Sequence, residues 1–120
     1  MRNAVTLPTP KQFSDLMAAM LFKNVTAVAA KTPVPGNPRI VAAYYDGQGI
    51  PVALCVFDLT AGACLGAALT GMPPRAAAEE VAKKQLSEVL ADNIHEVANI
   101  LAQLFRPSSG IRVSLKKTYL

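Results

Sequence analysis

Apolar positions fall first at Phe13, Leu16, Met17, Met20 and Leu21, the three- and four-residue spacing of a helix, behind Pro10, which suits a first turn. The spacing predicts a helix over residues 10–22. Val25-Thr26-Ala27-Val28 fits a short strand, and Pro33-Val34-Pro35-Gly36-Asn37-Pro38 forbids regular structure and marks a loop. Arg39–Tyr45 is rich in β-formers and runs into Asp46-Gly47-Gln48-Gly49, a turn signal. Residues 50–59 and 62–70 are almost continuously apolar. They read as two further strands of a meander, turning near Thr60-Ala61, with helices over at least one face. Met72-Pro73-Pro74 ends that sheet and opens a helix over 75–84, whose closing Lys83-Lys84 suits the helix dipole. A longer helix follows over 87–105, capped near Ser87 and stopped by Pro107-Ser108-Ser109-Gly110. Ile111–Lys116 alternates apolar and polar, as a half-exposed strand does. The sum is an α+β two-layer domain, a mainly antiparallel sheet packed against helices.

Composition narrows this to one domain over residues 1–120. At 52% apolar and 17% charged the chain lies far from the disordered class. Aromatics are only 6% and Trp is absent, so the core is built from Ala, Val and Leu and its elements must approach closely. No apolar run has the length of a membrane span, Met1–Pro8 lacks the apolar centre of a secretion signal, and two cysteines make no disulfide framework. The expected compartment is the cytoplasm. The net charge of +4 is unevenly placed: five of the eight acids lie between Glu79 and Glu96, and none follows, while Arg106, Arg112, Lys116 and Lys117 do. These basic residues are sparse and lack stacking aromatics, so neither nucleic acid nor membrane is an expected partner.

Chemistry gathers on one helix. On a wheel of ~100° per residue, Leu86, Leu90, Ile94, Val97, Leu101, Leu104 and Phe105 share the face turned to the sheet. Opposite them Asp92, Glu96, Asn99 and Gln103 fall within about 60° of one another. Any amphipathic surface helix has a polar face. This one, however, places no Lys or Arg beside its acids and keeps a mid-helix Asn that costs stability. Other motifs resolve into ordinary structure. His95-Glu96-Val97-Ala98-Asn99 has Asn where a zinc-protease helix needs its second His, so no metal is expected. Gly47-Gln48-Gly49 is a hairpin turn without the Lys of a phosphate loop. Cys55 and Cys64, on the two arms of the predicted hairpin, read as small core thiols.

Asp92-x-x-x-Glu96-x-x-Asn99 resembles the signature of the bacterial chemotaxis phosphatases, the CheC/CheX/FliY family, whose active helix carries Asp or Ser, then Glu four later, then Asn three later. The predicted order over 39–105, a hairpin at 50–70 followed by one helix and then the motif helix, is similar to theirs. The resemblance implies a CheX/CheC-like fold and a phosphatase acting on the aspartyl-phosphate of a response-regulator receiver domain, in two-component or chemotaxis signalling. It implies that Asn99 orients the attacking water, that Glu96 pairs with the receiver's basic active-site residue, and that Asp92 supports the ridge. It implies, too, that no cofactor of the chain's own is needed, because the receiver carries the Mg²⁺. Where members place Gly just before the Asn to admit the partner, this chain has Ala98. The family runs through more strands than 111–118 supply, and a homodimer sharing the edge strand is one remedy. The alternative is a catalytically silent CheC-like module for binding or dimerisation.

Overall fold

The first helix, α1 (Pro10–Leu21), opens on a reciprocal cap: the Thr9 hydroxyl accepts the Gln12 N–H at 3.1 Å, and the Gln12 side chain accepts the Thr9 N–H at 2.8 Å. The computed structural model describes residues 7–29, 39–105 and 113–119. The strand expected at Val25–Val28 is absent. There the Ala27 N–H donates to Ser14 Oγ at 2.7 Å, so the segment runs back along α1 and meets a side chain instead of a ladder. The proline loop at 33–38 and the stop at 107–110 lie outside the described residues.

β1 (Arg39–Tyr45) and β2 (Pro51–Asp58) form the expected antiparallel hairpin, with Ala42 opposite Cys55 and Ala43 opposite Leu54. Asp46 organises its turn, its carboxylate accepting the N–H groups of Gln48 at 2.8 Å and Ile50 at 3.0 Å. Gly49 supplies the left-handed residue at φ +80°. β3 (Ser114–Tyr119) pairs antiparallel with the other side of β1, giving the order β2-β1-β3. It begins later than the alternation from Ile111 suggests: Val113 precedes the ladder, and 111–112 lie outside the described residues.

The strand expected over 62–70 is instead part of a helix, α2 (Leu59–Thr70). The Asp58 carboxylate accepts the Ala61 N–H at 2.6 Å and caps it. Gly71, at φ 73°, closes it, with the Met72 N–H on the Ala67 carbonyl at 2.9 Å. Gly62, Ala63, Gly66 and Ala67 form its buried face, a helical stripe of small residues hidden within continuous apolarity. α3 (Pro74–Ala82) starts behind its prolines as expected but stops before Lys83-Lys84, with Lys84 left-handed at φ 52°; α4 (Glu88–Leu101) follows, capped by Ser87, whose Oγ accepts the Leu90 N–H at 3.2 Å. The anticipated continuous helix to 105 changes character: Ala102–Phe105 is a 3₁₀ turn.

Helices cover one face of the sheet. Ile40 packs with Ala63, Ala67, Leu90 and Ile94; Ala42 and Tyr44 pack with Ala98, Ala102 and Phe105. Met17 of α1 joins Val97 and Leu101, touching Cys55 and Phe57 on β2. The result is the α+β two-layer architecture with an antiparallel sheet. Among the described residues no helix is long and apolar enough to cross a membrane.

Candidate functional site

The ridge sits where the α4 cap and core fix it. The Ser87 Oγ cap sets the start of the helix, and the Glu80 carboxylate fixes that cap by accepting both the Ser87 N–H at 2.5 Å and the Ser87 O–H at 3.1 Å. Leu90, Ile94, Val97, Ala98 and Leu101 are buried, which leaves the opposite side no choice but solvent. Asp92, Glu96, Asn99 and Gln103 are all exposed. Glu96 and Asn99, three residues apart, stand one above the other on a single face. Among the described residues the sole ion pair is Lys11–Asp15, on α1, and no hydrogen bond engages the side chain of Asp92, Glu96 or Asn99. Two carboxylates and a carboxamide therefore face outward, unpaired among the described residues. Gln103 lies beyond the end of α4 in the 3₁₀ turn, so it leaves the strict row the wheel gives it.

One flank of the ridge is tied down. The His95 ring is exposed, with Nδ1 3.1 Å from Thr118 Oγ1, linking α4 to β3. Ala98 is fully buried against Ala42 and Tyr44, so its size governs how closely α4 lies on the sheet.

Two residues behind the ridge escaped the sequence reading. Tyr44, fully buried on β1, donates its O–H to the Ala98 carbonyl at 2.6 Å, and its ring lies 4.9 Å from that of Phe105. Burial, with Cys55 beside it, holds the Tyr44 phenol far above its ordinary range, so it remains a donor. Asn93 is buried and donates to Thr70 Oγ1 at 2.8 Å, joining α4 to α2. The helical wheel held its signal, because Asn93 falls beside Leu86 at the border of the core stripe.

The thiols part company. Cys55 lies half-buried on β2 and burial pushes it up to about 11, whereas Cys64 is exposed on α2, not on a hairpin arm. Cys64 borders a groove of about 280 Å³ between α2 and α3, walled by Thr60, Ala63, Pro74, Ala77 and Val81. Among the described residues no three of His, Cys, Asp and Glu are placed to hold a metal ion. Comparison with family models, with curated proteins and with solved structures finds no match for the chain.

Proposed function

We propose that the chain is a phosphatase for the aspartyl-phosphate of a response-regulator receiver domain, of the CheC/CheX/FliY kind, acting through the α4 ridge. The observation that carries this reading is the pairing of Glu96 and Asn99: both exposed, one turn apart, and free of ion pairs and side-chain hydrogen bonds among the described residues. An acyl phosphate is already labile, and the receiver's own Mg²⁺ neutralises the phosphoryl oxygens. What hydrolysis lacks is a water held in line with the leaving carboxylate. A carboxamide suits that task, since it donates and accepts without titrating. Asn99 orients the water; the water's oxygen bonds to phosphorus as the phosphorus–carboxylate bond breaks, and its protons pass to the departing phosphate and to solvent, leaving inorganic phosphate and the receiver's free aspartate. Glu96 pairs with the receiver's basic residue and fixes the docking. Asp92, one turn earlier, adds negative charge that strengthens the same contact.

A second reading draws on a separate observation. The sheet face away from the helices is uncovered at Leu54 and Val56, 65% and 50% exposed, which suits a module that binds without catalysing. A radiolabelled, phosphorylated receiver separates the two. The phosphatase accelerates loss of label, and Asn99→Ala and Glu96→Ala each lower that rate by roughly 10²–10³ while leaving the circular dichroism melt in place. A wild-type chain that binds the receiver and leaves the label's lifetime unchanged refutes the proposal and supports the binding module.

A further inference from the structure

Asn99 stands in the last turn of α4, where the backbone changes its bonding. In a continuing α-helix the Ala98 carbonyl would accept the Ala102 N–H. Here the N–H groups at the C-terminal cap donate to the carbonyls of Asn99 and Ile100, the tighter pattern of the 3₁₀ turn Ala102–Phe105. The Ala98 carbonyl is taken by the Tyr44 hydroxyl at 2.6 Å. Tyr44 also packs its ring on Phe105, the last residue of that turn, at 4.9 Å and 41°. The hydroxyl thus meets the segment that begins at the proposed water-orienting residue, while the ring only packs against its close. Packing alone does not require this oxygen, since a phenyl ring fills the same space.

Resting on the reading under Proposed function, we propose that Tyr44 is a positioning residue: its hydroxyl, by occupying the Ala98 carbonyl, holds the end of α4 in the 3₁₀ form that aims the Asn99 carboxamide. Tyr44 touches no substrate and acts only through the backbone. Its removal leaves the Glu96 docking contact intact and misplaces the carboxamide.

The test uses the full chain with Tyr44→Phe, and with Phe105→Leu as a control that loosens the same packing while keeping the hydroxyl. Decay of a phosphorylated receiver is followed against increasing protein, giving a plateau rate and a half-saturating concentration, both normalised to folded protein. Amide resonances of residues 98–103 are recorded alongside. Tyr44→Phe lowers the plateau roughly ten- to a hundredfold, with half-saturation held within about twofold, and shifts the Ala102 amide as it returns to the Ala98 carbonyl. Phe105→Leu keeps the wild-type plateau. A Tyr44→Phe plateau equal to wild type overturns the proposal, as does a Phe105→Leu loss of the same size, which assigns the effect to packing. If the wild-type chain leaves the receiver's phosphate untouched, the reading of the ridge falls instead; the resonances still decide the helix end, and an unmoved Ala102 amide in Tyr44→Phe overturns that claim too.

Discussion

Asn93, buried on α4, reaches the exposed Thr70 at the end of α2, a part-buried polar contact between the two helices. With α2 in place, the Asn93 amide donates to Thr70 Oγ1 at 2.8 Å and α4 is fixed in rotation about its own axis. That rotation keeps Asp92, Glu96 and Asn99 outward. Thr70→Val is isosteric and removes the amide's partner at a part-buried position, so it costs about 0.5–1.5 kcal/mol in chemical denaturation. The outward trio itself was legible, since exposure of a helix face follows from the burial of its opposite. Tyr44 was not: its link to Ala98 spans 54 residues, and nothing in a strand's alternation tells which backbone carbonyl a buried hydroxyl will meet.

At the scale of elements, the helices announced by capping residues and three–four spacing were found where expected: α1 behind Pro10, α3 behind its prolines, α4 behind Ser87. The hairpin of β1 and β2 was legible from Asp46-Gly47-Gln48-Gly49 for the same reason, since the turn chemistry is local. The segment 62–70 misled because a helix buried on one side and built from Gly, Ala and Leu shows no polar face to betray its period. The local signals that decide it are Asp58 before and Gly71 after, a cap and a closing glycine. The correction also alters the basis of the family resemblance, since two helices, not one, separate the hairpin from the motif helix. The small residues have a physical purpose. A Cβ on Gly66 would lie 3.0 Å from Ile94 Cγ1 and 3.2 Å from the Ile94 backbone nitrogen, so α2 meets α4 backbone to backbone. Gly66→Val drives these helices apart and is expected to destabilise the chain by about 2–3 kcal/mol, read as a lowered urea midpoint. A midpoint unchanged or raised would mean that helix propensity outweighs the close approach.

For the molecule as a whole, the helical layer, the covered sheet face and the ridge form one mechanical unit: α4 presses inward on Ala42 and Tyr44 and outward presents Glu96 and Asn99. Its stability carries an alkaline signature. Burial raises both Tyr44 and Cys55, the latter to about 11 from an ordinary 9.0. The unfolded chain therefore releases the Cys55 proton first, so the stability this group contributes is fully present below pH 9 and is lost as pH rises from 9 toward 11, and thermal melts should fall across that window. Cys55→Ala removes the thiol's share of the decline and leaves that of Tyr44. The central claim concerns the outward face, and one titration reaches it most directly: the decay rate of a phosphorylated receiver against increasing concentration of wild type, Glu96→Ala and Asn99→Ala. The account predicts saturable acceleration by wild type, a raised half-saturating concentration with Glu96→Ala, and a plateau lowered by roughly 10² at unchanged half-saturation with Asn99→Ala. A plateau that survives the loss of the Asn99 carboxamide would contradict it.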